Sequence, residues 1–168
     1  MTTLSIEIRN ASSSDSAGIA ATHRDSWQGA YAGLIPHLAL TRMIAHRGEQ
    51  WWQRALSSTA SVLVAELGDE IVGYATYGRN RTPELPQKGE IYELYLRREY
   101  QGIGIGSRLF AAARERLEAA QLKGVVVWAL EDNLIAQDFY AGRGGHDIAE
   151  GVENLGGAPL KKIAFVWA

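Results

Sequence analysis

The sequence contains no cysteine, and this absence removes several kinds of chemistry at once. A chain without thiols has no disulfide framework, no thiolate metal site and no cysteine nucleophile. Histidine is also scarce, and the four that occur lack the spacing of a helical metal-binding pair; they are His23, His37, His46 and His146. The residue types therefore predict no metal centre. We interpret His23 as a hydrogen-bonded structural histidine.

Excess charge of one sign and long apolar runs are missing as well. The formal net charge is −2, and the longest basic cluster is Arg97-Arg98, which is too short to bind a phosphate backbone or an anionic membrane. No apolar run reaches membrane-spanning length, and the alternating start of the chain differs from a signal peptide. We therefore expect a cytoplasmic protein with no nucleic-acid partner and no membrane partner.

The residues that are present suit one globular domain. The chain has 168 residues, of which 46% are hydrophobic and 21% are charged, and both fractions lie near the globular average. That length is sufficient to bury a single core. We predict one domain over residues 1–168.

The spacing of apolar residues predicts a mixed α/β chain. Leu4, Ile6 and Ile8 alternate with polar residues, as in a half-buried strand, whereas residues 125–130 form the continuous apolar run of a strand buried on both faces. Strands are predicted at 4–8, 61–67, 70–77, 90–96, 125–130 and 161–167, and helices at about 15–28, 37–56, 106–121 and 133–141. The Trp51-Trp52 pair is interpreted as packing.

Three glycines in five residues separate strand 90–96 from the following helix, in the run Gln101-Gly102-Ile103-Gly104-Ile105-Gly106. The first N–H groups of a helix are unpaired and carry partial positive charge, and glycines let a phosphate approach them closely. The run is neither a P-loop, which needs Gly-Lys-Ser/Thr, nor a dinucleotide fingerprint, because Ser107 stands where a glycine is needed. An anion site is favoured, and a flexible turn without a ligand is the alternative.

Two motifs together resemble those of the GNAT acyltransferase superfamily. The glycine run is similar to the family's Gln/Arg-x-x-Gly-x-Gly/Ala signature, and Asn133 to Tyr140 resembles its Asn-x-x-Ala-x-x-Phe-Tyr helix. Spacing and element order match over essentially the whole chain, and the segment 23–36 resembles a bacterial subgroup. The resemblance implies an α/β (α+β) GNAT fold: one mixed, mostly antiparallel sheet split into a V and flanked by helices.

The resemblance also implies acetyl-CoA as co-substrate, lying in the V without a metal. Backbone groups of Leu94 and Leu96 would bind the pantetheine arm as an added strand would, the glycine run would hold the pyrophosphate, and Asn133 would contact the arm. The complete set of implied cofactor contacts is Leu94, Tyr95, Leu96, Gln101, Gly102, Ile103, Gly104, Ile105, Gly106, Ser107, Asn133 and Tyr140.

Direct acyl transfer from the thioester to an amine gives individual residues their implied roles. Tyr140 would donate a proton to the departing sulfur, and Glu90 would take a proton from the amine. Glu93 is the second candidate base, although strand alternation puts it on the opposite face from Glu90. Trp27, Tyr31 and Glu93 are the candidate acceptor-binding residues. Core packing is the alternative for Tyr140 and Trp27, and a surface position for Glu90.

The sequence does not identify the acceptor. The resemblance implies a primary amine on a small molecule or peptide; an acyl-CoA-binding regulatory module without turnover and a protein lysine or N-terminal acetyltransferase are alternatives. A polyamine acceptor would favour an acidic pocket, for which Glu84, Glu90 and Glu93 are candidates. A homodimer is an expectation by analogy with relatives. Gly144-Gly145 stands where relatives often have Gly-Phe, and Arg98 where they often have Pro, which leaves one aromatic wall of the site unaccounted for.

Overall fold

The computed structural model describes residues 5–58 and 60–168. Leu4, the first residue of the predicted N-terminal strand, lies outside the described residues. The strands are β1 (Ile6–Asn10), β2 (Ser61–Leu67), β3 (Glu70–Arg79), β4 (Gly89–Leu96), β5 (Val125–Leu130), β6 (His146–Leu155) and β7 (Ala158–Trp167). The helices are α1 (Ser16–Tyr31), α2 (His37–His46), α3 (Glu49–Ser57), α4 (Ile105–Ala119) and α5 (Leu134–Gly142).

The N-terminal helices differ from the predicted ones at their ends. Helix α1 follows a 3-10 turn at Ser13–Asp15 and runs on to Tyr31, three residues beyond the predicted end. The predicted helix over 37–56 is two helices, because Arg47 leaves the helical conformation and Gly48 is extended. That break turns the Arg47 side chain toward β4, where it pairs with Glu93.

The seven strands form one sheet in the order β1-β2-β3-β4-β5-β7-β6. All neighbouring pairs are antiparallel except β4 and β5. These two parallel strands pair only at Gly89↔Val125 and Glu90↔Val126 within the described residues, although both continue well beyond. The sheet is therefore split into a V at its centre, which leaves one edge of β4 without a strand partner.

Strand β6 is the one strand that the apolar pattern did not predict. Its residues are exposed or half-buried throughout, so no hydrophobic face reveals it. It pairs with β7 through a two-residue hairpin at Gly156 and Gly157, which both have positive φ (61° and 82°). Such a turn requires φ > 0 at both positions, so the Gly-Gly pair was the available signal for this hairpin.

Helices cover both faces of the sheet. The predicted apolar face of α4 is confirmed, since Leu109, Ala113 and Leu117 are at most 1% exposed and pack on one face. Ile19 of α1 and Trp52 of α3 bury themselves against the other face. In residues 5–58 and 60–168 we find no helix with the length and hydrophobicity needed to cross a membrane.

Candidate active site

A cavity of about 620 Å³ opens where β4 and β5 separate. Its walls come from the end of β4, the glycine run, α5 and the end of α1. Pockets of this volume are typical of small-molecule and cofactor sites. Of the predicted cofactor residues, those that line it are Leu94, Tyr95, Leu96, Gln101, Gly102, Gly104, Gly106, Ser107, Asn133 and Tyr140.

The glycine run lies at one end of this cavity and has the backbone that glycine permits. Gly102 and Gly104 have φ of 79° and 93°, and a Cβ added at either would meet no described heavy atom within 4 Å. Helix α4 begins at Ile105, and no side chain of the described residues caps its N-terminus. Free N–H groups at a helix start beside an open glycine turn fit the pyrophosphate of acetyl-CoA.

The two isoleucines of the run do not line the cavity. Ile103 is 66% exposed. Ile105 is 2% exposed and packs into the core together with the other buried residues of α4. Their side chains therefore do not form walls of this cavity, and their contact with a cofactor stays a prediction. The Gln101 side-chain amide donates to the Leu96 carbonyl at 3.3 Å and so ties the run to β4.

Arg143 is a cavity residue that the sequence reasoning missed. Its guanidinium lies 3.7 Å from the centre of the Phe139 ring and donates from Nε to the Ser107 hydroxyl at 2.9 Å. The same side chain donates to the Phe139 carbonyl at 3.0 Å, at the end of α5. The signal in the sequence was a basic residue one helical turn after Phe139. In the structure Arg143 places a positive charge beside the start of α4.

Asn133 is the N-cap residue of α5, and its side-chain oxygen makes the capping hydrogen bond. Its Oδ1 accepts from the Ala136 N–H at 3.2 Å, as an N-cap residue does. The residue also lines the cavity, so cap and wall are combined in one side chain. Its contact with a cofactor stays a prediction.

Tyr140 lies on α5 with its ring buried among aromatic residues of the core. It packs against Phe110, Phe165 and Trp167, with ring centres about 6 Å away. Burial raises the pKa of the Tyr140 hydroxyl well above its usual range, with a smaller contribution from Tyr31. The hydroxyl has no hydrogen-bond partner among the described residues, so a neutral donor is left free beside the cavity.

The Trp167 ring lies beside Gly145 and packs against Tyr140. A Cβ at Gly145 would come within 2.6 Å of the Trp167 ring, so this position must be glycine for the ring to fit. The Trp167 Nε1 donates to the Arg143 carbonyl at 2.9 Å and fixes the ring there. The last strand thus closes the wall behind Tyr140.

A second cavity of about 480 Å³ adjoins the first. It is lined by the three predicted acceptor residues, Trp27, Tyr31 and Glu93, and by the candidate base Glu90. The two cavities share the lining residues Tyr31, Tyr92, Glu93, Tyr95, Trp128 and Ala129. Tyr140 lines the first cavity and Glu90 the second, so the two candidate catalytic groups lie in adjoining cavities.

The prediction that Glu90 and Glu93 point to opposite faces is wrong. The pairing of β3 with β4 shifts between Thr76↔Glu93 and Tyr77↔Ile91, which leaves Tyr92 as an extra residue in β4. A β-bulge of this kind interrupts the alternation of side chains. The bulge brings both carboxylates to the same cavity.

The Glu93 carboxylate is already fully engaged. Arg47 donates two hydrogen bonds to it, each at 2.8 Å, and the hydroxyls of Tyr74 and Thr76 add two at 3.2 and 3.3 Å. The Arg47 guanidinium is in turn stacked beside Trp51 and Trp52, at 4.3 and 4.7 Å from their ring centres. The tryptophan pair was interpreted as packing only; it also lines the cavity and holds this ion pair.

Glu90 is 2% exposed and has one cationic partner among residues 5–58 and 60–168. Arg81, on the loop before β4, donates from Nη2 at 2.8 Å and from its backbone N–H at 2.9 Å. The alternative of a surface position for Glu90 is therefore wrong. The Arg81 side chain is 65% exposed, so only one member of this ion pair is buried.

His23 lies behind the second cavity, and the prediction that it is hydrogen-bonded is wrong. Neither ring nitrogen has a partner within the described residues, and the ring packs against Trp27 at 4.7 Å and Trp52 at 6.2 Å. Burial, reinforced by the charge of Arg47, lowers the pKa of His23 to about 4. The ring is neutral in the folded protein at neutral pH.

This burial predicts a loss of stability in mild acid. An unfolded histidine, with a pKa of about 6.5, takes up protons more readily than His23 does in the folded chain, so stability falls as pH drops from about 6.5 to about 4. We expect about 2 kcal/mol of this loss between about pH 7.5 and about pH 5, measured by urea unfolding. The His23→Phe variant should lose that dependence and His37→Phe, at an exposed position, should keep it. An unchanged pH slope in His23→Phe would contradict the assignment.

Comparison with known proteins identifies the class of this protein. Residues 23–144 match the Acetyltransferase (GNAT) family. The chain is 29% identical over 162 residues to the uncharacterized N-acetyltransferase YuaI of Bacillus subtilis, covering 96% of this chain and 92% of that protein.

Solved structures agree with this match at the level of the fold. The PaiA N-acetyltransferase of Thermoplasma acidophilum, in complex with coenzyme A, has a TM-score of 0.76 at 21% identity over 95% of this chain and 98% of that one. YncA, a putative acetyltransferase from Salmonella typhimurium with acetyl-CoA, has a TM-score of 0.68 at 16% identity over 97% and 93% of the two chains. The fold and its relatives define an acyltransferase. The chain belongs to the GNAT acetyltransferase family, and the predicted fold with its split sheet is confirmed.

Proposed function

We propose that this protein transfers the acetyl group of acetyl-CoA to a primary amine of a small molecule. The observation that carries the proposal is the pair of adjoining cavities, with an uncapped helix start and open glycines at the far end of one and the buried carboxylate of Glu90 in the other. An acyl donor and an amine would meet at the residues that the cavities share.

The unpaired edge of β4 supports the binding of the donor's extended arm. Beyond Glu90 its backbone groups have no β5 partner within the described residues, so they remain available to an amide-bearing chain laid between the strands. Arg143 and the N–H groups at the start of α4 would supply positive potential for the phosphates. When bound, acetyl-CoA supplies a thioester carbonyl open to attack and a thiolate that can leave.

The proton movements can be assigned to two side chains. An amine with a pKa of about 10 arrives mostly as ammonium, so Glu90 takes one proton from it before the new C–N bond forms. Tyr140 gives its proton to the departing sulfur as the C–S bond breaks. Tyr140 then regains a proton from the nitrogen that becomes the amide, which leaves a free thiol and a neutral hydroxyl.

Release of free thiol tests the proposal directly. Acetyl-CoA is incubated with the protein and a panel of amines, and coenzyme A is measured with a thiol reagent. Amine-dependent release supports transfer. Binding of acetyl-CoA without release for any amine would favour the regulatory module, and release only with lysine peptides or protein N-termini would favour a protein acetyltransferase.

Glu90→Gln provides a sharper test of the base. We expect kcat/KM for the amine to fall about 100-fold near neutral pH, while the KM for acetyl-CoA stays the same. The deficit should shrink toward pH 9, because more of the amine then arrives already deprotonated. Arg81, left without its partner, is mostly exposed and can be hydrated, so folding should survive.

Glu153→Gln is the matched control for that variant. Glu153 lines the same cavity and pairs with Lys162 at 2.8 Å, but it is about half exposed and lies on β6, which pairs with neither β4 nor β5. If the fall in kcat/KM of Glu90→Gln is constant with pH, Glu90 is not the base. The same conclusion follows if Glu153→Gln shows an equal fall.

A further inference from the structure

The carboxylates of the second cavity are all neutralised by cations of the same cavity. Each pair has an N···O separation of 2.8 Å; the pairs are Glu93–Arg47, Glu90–Arg81 and Glu153–Lys162. Glu84, the third candidate for an acidic pocket, does not line this cavity. The cavity is therefore balanced in charge, and the acidic pocket considered for a polyamine acceptor is not formed.

Every one of these cations also lies over an aromatic ring. Arg47 lies over Trp51 and Trp52, Arg81 lies 4.0 Å from the centre of the Tyr92 ring, and Lys162 lies 4.5 Å from that of Trp128. Seven of the twenty described residues that line it are tryptophan or tyrosine. A cation in this cavity thus has a carboxylate on one side and the face of a ring on the other.

The position that holds Arg81 is the one that can be vacated. The Arg81 side chain is 65% exposed, whereas those of Arg47 and Lys162 are 18% and 24% exposed. Arg81 also lies in the loop between β3 and β4, outside the regular sheet. Its departure would leave the buried carboxylate of Glu90 facing the cavity beside the Tyr92 ring.

We infer that the acceptor is a monoamine with a flat aromatic body, whose ammonium replaces the Arg81 guanidinium between Glu90 and Tyr92. This inference rests on the proposed function and specifies its acceptor. The aromatic body of the acceptor packs among the tryptophans of the cavity. Its single positive charge pairs with Glu90 in place of Arg81. A polycation would bring further charges into a cavity with no carboxylate left to receive them.

An amine panel tests this inference with the wild-type protein. Initial rates of thiol release are compared for 2-phenylethylamine, n-hexylamine and spermidine at the same acetyl-CoA concentration. We expect kcat/KM for 2-phenylethylamine to exceed that for n-hexylamine by about five- to thirty-fold, the range of a desolvated aromatic and cation–ring contact. Equal or faster turnover of n-hexylamine or spermidine would overturn the aromatic monoamine.

Arg81→Gln tests the exchange of cations. We expect the KM for 2-phenylethylamine to fall several-fold with the KM for acetyl-CoA unchanged, since the competing guanidinium is gone. Arg79→Gln is the matched control, because this exposed residue at the end of β3 carries the same charge and does not line the cavity. An unchanged or raised amine KM in Arg81→Gln would overturn the exchange. Acetyl-CoA binding without turnover of any amine would instead overturn the proposed transfer, and the acceptor with it.

Discussion

Replacing Gly104 by glutamate is expected to abolish acetyl-CoA binding while leaving a folded protein. At about 100 times its Kd, acetyl-CoA should stabilise the wild type by about 2.7 kcal/mol, which corresponds to a rise in melting temperature of roughly 5–10 °C. In the variant a carboxylate would stand beside the first N–H groups of α4, where the phosphates are proposed to bind. We expect affinity to fall at least about 100-fold, so that the thermal shift disappears at the same ligand concentration.

Backbone strain must be separated from the loss of the anion site. Gly104 has a φ of 93°, so any side chain there costs about 1–2 kcal/mol of folding stability. Gly157→Glu places the same side chain at a φ of 82° in the β6–β7 hairpin, also with no described atom within 4 Å of the added Cβ. Both variants should melt lower than the wild type, and only Gly157→Glu should respond to acetyl-CoA. A preserved response in Gly104→Glu would return the glycine run to a structural turn.

Tyr140→Phe should separate chemistry from binding. We expect kcat to fall about 100-fold, in the usual range for losing a general acid, with the acetyl-CoA thermal shift retained. Stability should change little, because the hydroxyl has no partner within the described residues and the phenylalanine ring fills the same space. Since burial raises the pKa of Tyr140 well above its usual range, the hydroxyl stays protonated to beyond pH 9. The deficit should therefore be constant from about pH 6 to about pH 9.

The pH profile distinguishes the two catalytic assignments. A deficit that shrinks toward high pH is expected of Glu90→Gln and a constant one of Tyr140→Phe. Tyr77→Phe serves as the control, since Tyr77 lines neither cavity. Turnover in Tyr140→Phe equal to that of the Tyr77 variant would assign protonation of the sulfur to another group.

The part of the candidate site formed by β4 and the glycine run was predictable because it is built mainly from backbone. Glycines with positive φ, a helix start and a splayed strand leave a compact local pattern between residues 94 and 107, and the structure brings these residues to one cavity. Ile103 and Ile105 show the limit of that reasoning. A motif names consecutive residues, whereas the helical turn sends one side chain to solvent and the next into the core.

The second cavity was less predictable because its lining depends on long-range contacts and on the β-bulge at Tyr92. Arg47 meets Glu93 across 46 positions in sequence, and nothing local to either residue predicts the pair. No glycine or proline at Tyr92 signals the bulge in the sequence, yet the bulge moves the Glu93 side chain to the other face of β4. Strand β6 was not predicted for a third reason, since an edge strand whose residues are all exposed or half-buried shows no hydrophobic period.

The split between β4 and β5 also bears on how this sheet avoids aggregation. An unpaired strand edge normally recruits strands from other molecules, and proteins protect such edges with charges, bulges or covering segments. Here the free edge of β4 lies in the middle of the sheet, in a cleft walled by residues of α1 and α5, so a neighbouring chain cannot lie along it as it could at an outer strand. The chain can therefore keep a row of unsatisfied backbone groups ready for a ligand without presenting them to copies of itself.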